Sequence, residues 1–227
     1  MRLANKIQLS SDGSHTLMSE EFNVSYHSIH GAITESNHVF IDAALQYKVD
    51  DGAKKISIFE MGFGTGLNAF LTYQYAEKNK ITIDYQAIEL YPIEKVTFDG
   101  LNYGDLLGNM DQFIDLHLIE WNKKLVFSSY YTFEKILEDL VTFPMRQTYD
   151  IIYYDAFAPN AQPELWTTHI LDKMYHALNE NGVLVSYCAQ GEFKRNLKKV
   201  GFSVEELPGP PGKREMTRAV KPMSLMM

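Results

Sequence analysis

From residue 55 onward the chain alternates between two rhythms of apolar and polar positions. Short runs that are apolar on both faces and rich in β-branched or aromatic residues predict buried strands over 56–61, 81–88, 125–127, 149–154 and 183–188. Between them, apolar residues recur near every 3.6 positions. Leu67, Phe70, Leu71 and Tyr75 mark one such helix, and Phe133, Ile136, Leu137 and Leu140 another. A third is predicted over "PELWTTHILDKMYHAL", opened by Pro163 and closed by "NENG" with Gly182 as its C-cap. Strands alternating with helices predict an α/β fold, a mostly parallel sheet covered by helices. The end breaks the alternation. "FSVEELPG" and "REMTRAVK" follow one another across "PGPPGK" without a helix, which predicts an antiparallel hairpin at one sheet edge. The first 50 residues are less regular, with short strands and turns in "DGSHTLMSEEF" and a helix in "SNHVFIDAALQY". No internal repeat, low-complexity block or Pro/Gly/Ser-rich linker interrupts the chain. Residues 51–227 are therefore read as one globular domain, and 1–50 as an extension packed on it.

Composition changes this picture little. The 227 residues are 45% hydrophobic and 22% charged, enough to bury a sizeable core. No apolar run nears the ~18 residues of a membrane span, and the N-terminus lacks the apolar core of a signal peptide, so no membrane association is expected. One cysteine, Cys188, fits a reducing cytoplasm, and at the end of a buried strand it is expected to pack rather than react. A net charge of -8 argues against nucleic-acid binding by bulk electrostatics alone. Basic residues nonetheless gather near the C-terminus, at Lys194, Arg195, Lys198 and Lys199 and again at Lys213, Arg214, Arg218 and Lys221, either as a local phosphate-binding face or as a solvated helix and tail.

Candidate chemistry sits at the strand ends. "IFEMGFGTGLN" sets Gly62, Gly64 and Gly66 where the first core strand turns into a helix. Alternate glycines admit a ligand close to the backbone, and the helix start offers N–H groups. Glu60, just before the loop, is unwelcome beside a pyrophosphate and welcome beside a cationic amine. Glu89 ends the second strand, where an acid accepts two vicinal ribose hydroxyls. Together they describe a nucleoside carrying an amino acid, which S-adenosylmethionine fits. An acid after the third strand would meet the adenine amine. After 125–127 the chain offers Ser128, Ser129, Tyr130 and Tyr131 and no carboxylate, so a serine or backbone group serves there, or the third strand lies elsewhere. In "DIIYYDAFAPNAQPELW" a greasy strand ends in Asp155, which belongs to the mouth of the same cleft. Seven histidines, His27, His30 and His38 among them, lack an H-x-x-x-H helix or a cysteine partner, so no metal site is expected. The lack of a G-x-S-x-G elbow also speaks against serine hydrolase chemistry.

Four motifs, "DGSHTLMSEEFNVSYHSIHGAITESNHVFI", "EMGFGTGLN", "DAFAPNAQPELW" and "PGPPGKREM", occur in the order of one family. From about Asp12 to Val220 the chain resembles the methyltransferase domain of the bacterial bifunctional proteins that make 5-methylaminomethyl-2-thiouridine in tRNA. The resemblance implies a class I, Rossmann-like methyltransferase fold and S-adenosylmethionine as donor. It also implies methyl transfer to the amine of 5-aminomethyl-2-thiouridine at the tRNA wobble position. It places Glu60, Gly62, Phe63, Gly64, Gly66, Asn68 and Glu89 around the donor and makes Asp155 the catalytic group that orients the amine or takes its proton. Phe157 and Pro159 would wall the splayed base, and Lys213 and Arg214 would meet tRNA phosphates. The flavin-dependent oxidase half of those proteins is not represented, so a stand-alone methyltransferase served by partner enzymes that supply the amine is expected. Ala156 stands where the family often has Gly, and Ser128–Ser129 where relatives often show Gly-Asp. Competing readings are an aminopropyltransferase, a small-molecule N-methyltransferase, and a non-catalytic RNA-binding scaffold. The conjunction of Glu60, the glycines, Glu89 and Asp155 speaks against the scaffold.

Overall fold

The two rhythms resolve into two sheets in a computed structural model of the chain, which describes residues 5–224. The first is antiparallel, with strand order β1-β2-β3, built from β1 (Lys6–Leu9), β2 (His15–Ser19) and β3 (Val24–Ser25). Helix α1 (Ala32–Ser36) then runs through a π-helical segment (Asn37–Gln46) into α2 (Tyr47–Asp50). Val39, Phe40, Ile41, Ala44 and Leu45 of that segment are buried.

The second sheet has eight strands: β4 (Lys55–Met61), β5 (Thr82–Glu89), β6 (Leu125–Val126), β7 (Tyr131–Leu137), β8 (Tyr149–Tyr154), β9 (Leu178–Ser186), β10 (Ser203–Pro208) and β11 (Glu215–Val220). Their spatial order is β10-β11-β9-β8-β4-β5-β7-β6. The five strands from β9 to β7 in that order are parallel, while β6, β11 and β10 pair antiparallel. The predicted C-terminal hairpin is thus present, with β11 set between β9 and the edge strand β10.

Between the strands lie α3 (Leu67–Asn79), α4 (Lys95–Asp99), α5 (Tyr103–Leu107), α6 (Met110–Leu118), a 3-10 turn (Pro163–Trp166), α7 (Thr168–Ala177) and α8 (Gly191–Val200). Alternate residues of β4 serve opposite faces. Ile56 and Ile58 join Phe70, Tyr85 and Tyr153 in one core; Phe59 and Met61 join Tyr154, Leu171 and Met174 in the other. Each such side chain stabilises by about 1.5–3 kcal/mol when fully buried, so reversing that alternation would be costly.

Two expectations are corrected. The helix predicted from Phe133 to Leu140 is strand β7, and the predicted strand 125–127 is only the short, exposed edge strand β6. Tyr131, Phe133 and Lys135 share one face of β7, and it is Lys135 that hid the alternation. This lysine is 1% exposed, and its ammonium donates to the His117 carbonyl at 2.6 Å and lies 4.6 Å from the centre of the Trp121 ring. Burial pushes its pKa down to about 8. Gly182 is not a helix cap. Helix α7 ends on an extended Leu178, and β9 begins at once. Glycine is needed at 182 because a Cβ there would stand 2.7 Å from the Asn179 carbonyl oxygen.

Candidate active site

Parallel register gathers the acids at one edge. Met61 pairs with Ile88 and with Tyr154, and Glu89 with Leu137. The C-terminal ends of β4, β5, β7 and β8 therefore open on one crevice. There the chain order reverses, since β5 and β7 lie on one side of β4 and β8 on the other.

The glycine loop turns above β4 with φ of 90°, 52° and 75° at Gly62, Gly64 and Gly66. Gly62 and Phe63 donate their N–H groups to the Ile88 carbonyl at 3.0 and 3.3 Å. Gly66 caps α3, and a Cβ there would stand 2.7 Å from His117 Nε2, so no side chain fits. Two buried histidines clamp Thr65: His117 Nε2–H donates to its carbonyl at 3.0 Å, and His27 Nε2 bonds its hydroxyl at 2.8 Å. Burial holds both rings neutral, lowering His27 to about 4 and His117 to about 3.

Glu89 has its carboxylate oriented by two backbone donors, Gly64 N–H at 3.0 Å and Tyr91 N–H at 2.7 Å. Opposite it, Asp155 at the end of β8 accepts a 2.8 Å bond from the Asn68 amide. Its carboxyl keeps part of its surface on the crevice yet lies deep in protein. Burial, reinforced by the Glu35 charge, raises its pKa to about 7 against the lowering effects of Asn68 and Lys213.

Between these groups lies a cavity of about 350 Å³, in the usual range of a small-molecule site. Of the predicted residues, Gly62, Phe63, Gly64, Asn68, Glu89, Asp155 and Phe157 line it. Glu60 is buried behind the loop and Gly66 lies beneath it. Pro159 belongs to a separate depression with Pro163 and Trp166. Lys213 is ion-paired with Glu35, and Arg214 is exposed beside Glu215, at 3.6 Å. Neither lines the cavity.

The sequence reading missed several lining groups. Glu138 and Asp139 follow β7 directly and line the cavity, so carboxylates do stand after the third parallel strand, although none follows residue 127 directly. Asp139 accepts the Val141 N–H at 2.8 Å through one oxygen. Ser128 instead bonds Glu77, and neither Ser128 nor Ser129 lines the cavity. Phe22 and Tyr26 pack on Phe157, with ring centres 5.2 and 4.9 Å apart, giving the cavity an aromatic wall. Only their presence inside the "SEEFNVSYHSI" motif hinted at this.

The residues fit S-adenosylmethionine on the structure's own terms. A glycine turn abuts the cavity, an oriented acid ends β5, and a second acid ends β7. The Glu60 carboxylate, buried behind the loop, has no hydrogen-bond partner for either oxygen among the described residues.

Comparison with known proteins agrees. Residues 112–222 match a family described as S-adenosyl-L-methionine-dependent methyltransferase. The tRNA 5-methylaminomethyl-2-thiouridine biosynthesis bifunctional protein MnmC of Cupriavidus metallidurans is 28% identical, over 93% of this chain and 33% of that protein. The chain thus spans about a third of the length of the curated relatives it matches. The crystal structure of MNMC2 from Aquifex aeolicus superposes with a TM-score of 0.76 at 24% identity, over 97% of this chain and 73% of that one. A structure of SAM-bound CalS10, an amino pentose methyltransferase from Micromonospora echinaspora, shares the fold with a TM-score of 0.50 at 13% identity, over 80% of this chain and 89% of that one. The chain thus has the fold of class I S-adenosylmethionine-dependent methyltransferases, and in sequence it is similar to the methyltransferase part of the MnmC bifunctional proteins.

Proposed function

We propose that the chain methylates the primary amine of 5-aminomethyl-2-thiouridine at the wobble position of tRNA. The names of its relatives support the substrate, and one observation carries the chemistry. That observation is a carboxyl, Asp155, held on the cavity by Asn68 and titrating near neutrality. When bound, S-adenosylmethionine supplies a methyl group already activated on a sulfonium. The protein's task is then alignment, water exclusion and proton management.

Glu89 would accept the ribose hydroxyls, and Asp139, one oxygen of which is engaged by the Val141 N–H, would meet the adenine amine with the other. Phe157, Phe22 and Tyr26 form the wall on which a splayed base stacks. An amine beside a carboxylate tends to stay an unreactive ammonium. A carboxyl titrating near 7 competes for that proton far better than one near 4, and it releases the lone pair toward the methyl group. Asp155 is therefore a proton acceptor as well as an orienting group. The amine itself comes from partner enzymes that expose it.

A second reading, methylation of a small-molecule amine, is favoured by the net charge of -8 and by the internal pairing of Lys194, Lys213 and Arg218. Incubating the protein with methyl-labelled donor and tRNA lacking the modification decides between them. Label in 5-methylaminomethyl-2-thiouridine after nucleoside digestion supports the proposal; unlabelled tRNA alongside a labelled small amine refutes it.

A further inference from the structure

A charge pair close to Asp155, with a buried Glu35 and a half-buried Lys213, has no part in the chemistry above. Lys213, in the loop joining β10 to β11, has its ammonium 2.5 Å from a Glu35 carboxylate oxygen on α1 and 4.0 Å from the centre of the Tyr187 ring. The Glu35 side chain is 6% exposed, and its other oxygen accepts the Ser28 N–H at 2.7 Å. Tyr187, one residue past β9, donates its hydroxyl to the Ala156 carbonyl at 2.8 Å, directly after Asp155. A ring N–H of His38 donates to the Pro208 carbonyl at 2.8 Å and ties the same hairpin to the N-terminal helix. Segments far apart in sequence therefore converge on the back of one turn. Stability does not account for the pair, because an ion pair, half-buried or buried, contributes little over an apolar contact. Phosphate binding does not account for it either, since the lysine charge is already matched by Glu35.

We propose that the Lys213–Glu35 pair is a positioning device for Asp155, fixing the 155–157 turn through Tyr187 and Ala156 and balancing the charge around the catalytic carboxyl. The inference rests on the amine-directed reading above. The groups facing Asp155 come from five elements: Glu35 on α1, Glu60 on β4, Asn68 on α3, Tyr187 after β9 and Lys213 on the hairpin loop. His27, which feels both Glu35 and Lys213, stays neutral. After burial, Glu35 is the group that raises the Asp155 pKa, while Asn68 and Lys213 lower it. The two members of the pair thus act in opposite senses.

The test is single-turnover methyl transfer to amine-bearing tRNA across about pH 5 to 9. Lys213→Met should move the acid limb of the rate profile to higher pH by about half a unit or more, and Glu35→Gln should move it to lower pH. Lys213→Arg should restore the profile, and calorimetric donor affinity should stay within about twofold in all three. Shifts in the same direction, or a uniform loss of rate with no shift, overturn the proposal. Weaker tRNA binding with a reduced salt slope in Lys213→Met also overturns it, in favour of a phosphate contact. Should the wild type methylate no amine, the reaction assignment is what fails. The pair is then judged by carbon NMR titration of the Asp155 carboxyl without donor, where the same opposed shifts are expected and their absence refutes it.

Discussion

Glu60 reports most directly on the proposed donor site. It is 1% exposed, and its oxygens share their lack of partners with Asn68 Oδ1 and the Tyr85 hydroxyl. Burial raises its pKa well above the usual range, and the charges of Asp155 and Glu89 raise it further. Tyr85 and Asn68 face it and offset part of that rise without making an aligned hydrogen bond to its oxygens. The folded protein holds this proton more tightly than the unfolded chain, whose ordinary value is 4.5. Stability therefore falls as pH rises from about 4.5 through the folded pKa. Glu60→Gln removes that penalty. Its melting temperature should exceed wild type near pH 8, and the gain should fade toward pH 4.5, as read by thermal melts at both. Calorimetry should show donor affinity reduced about tenfold if the ionised carboxylate serves a cationic amine. Unchanged affinity would assign Glu60 to the core alone.

At the scale of elements, α1 is held by a loop distant in sequence. Its N-cap, Gly31, offers no side chain, and "SSDGS" substitutes for one. Ser10 Oγ and Ser14 Oγ accept the Ala32 and Ile33 N–H groups at 3.3 Å each, and Asp12 accepts the Thr34 N–H at 2.9 Å. Burial would raise the Asp12 carboxyl, but bonds from Ser14, Thr34 and Ser10 hold it well below the usual range. Its contribution is present above about pH 3.8 and lost as pH falls below it. Asp12→Ala should lower stability by about 1–2 kcal/mol in urea unfolding at neutral pH, with a smaller difference in acid.

This contact also shows what the sequence could and could not reveal. Local rhythm disclosed β4, β5 and β8 as apolar runs buried on both faces, α3 by its helical spacing and the hairpin by its two runs without a helix between them. It failed at β7, where Lys135 occupies an inward position and is satisfied by His117 from another element. That error displaced the third strand and hid Glu138 and Asp139. Glu35, Tyr187 and Phe22 were beyond reach for a different reason: their roles exist only through long-range contacts that no periodicity encodes. For the same reason the pairing of Lys213 with Glu35 could not be read, since its partner lies 178 residues away.

For the whole molecule, parallel register does the assembling. Four strand ends bring Glu60, Glu89, Asp139 and Asp155 to one crevice, and Phe22 and Tyr26 from the N-terminal segment line it as well. No helix among the described residues is long and apolar enough to cross a membrane. Much of the C-terminal basic cluster is spent inside the fold, on Glu206, Glu35 and Glu205. Within that cluster, the exposed cations are Arg195, Lys198, Lys199 and Arg214. The central proposal, that Asp155 manages the proton of the amine substrate, is tested most directly by Asp155→Asn. Single-turnover methyl transfer to amine-bearing tRNA at saturating donor should fall at least about 100-fold, with donor Kd on the same preparation within about threefold of wild type. A variant that transfers methyl at the wild-type rate would contradict the account.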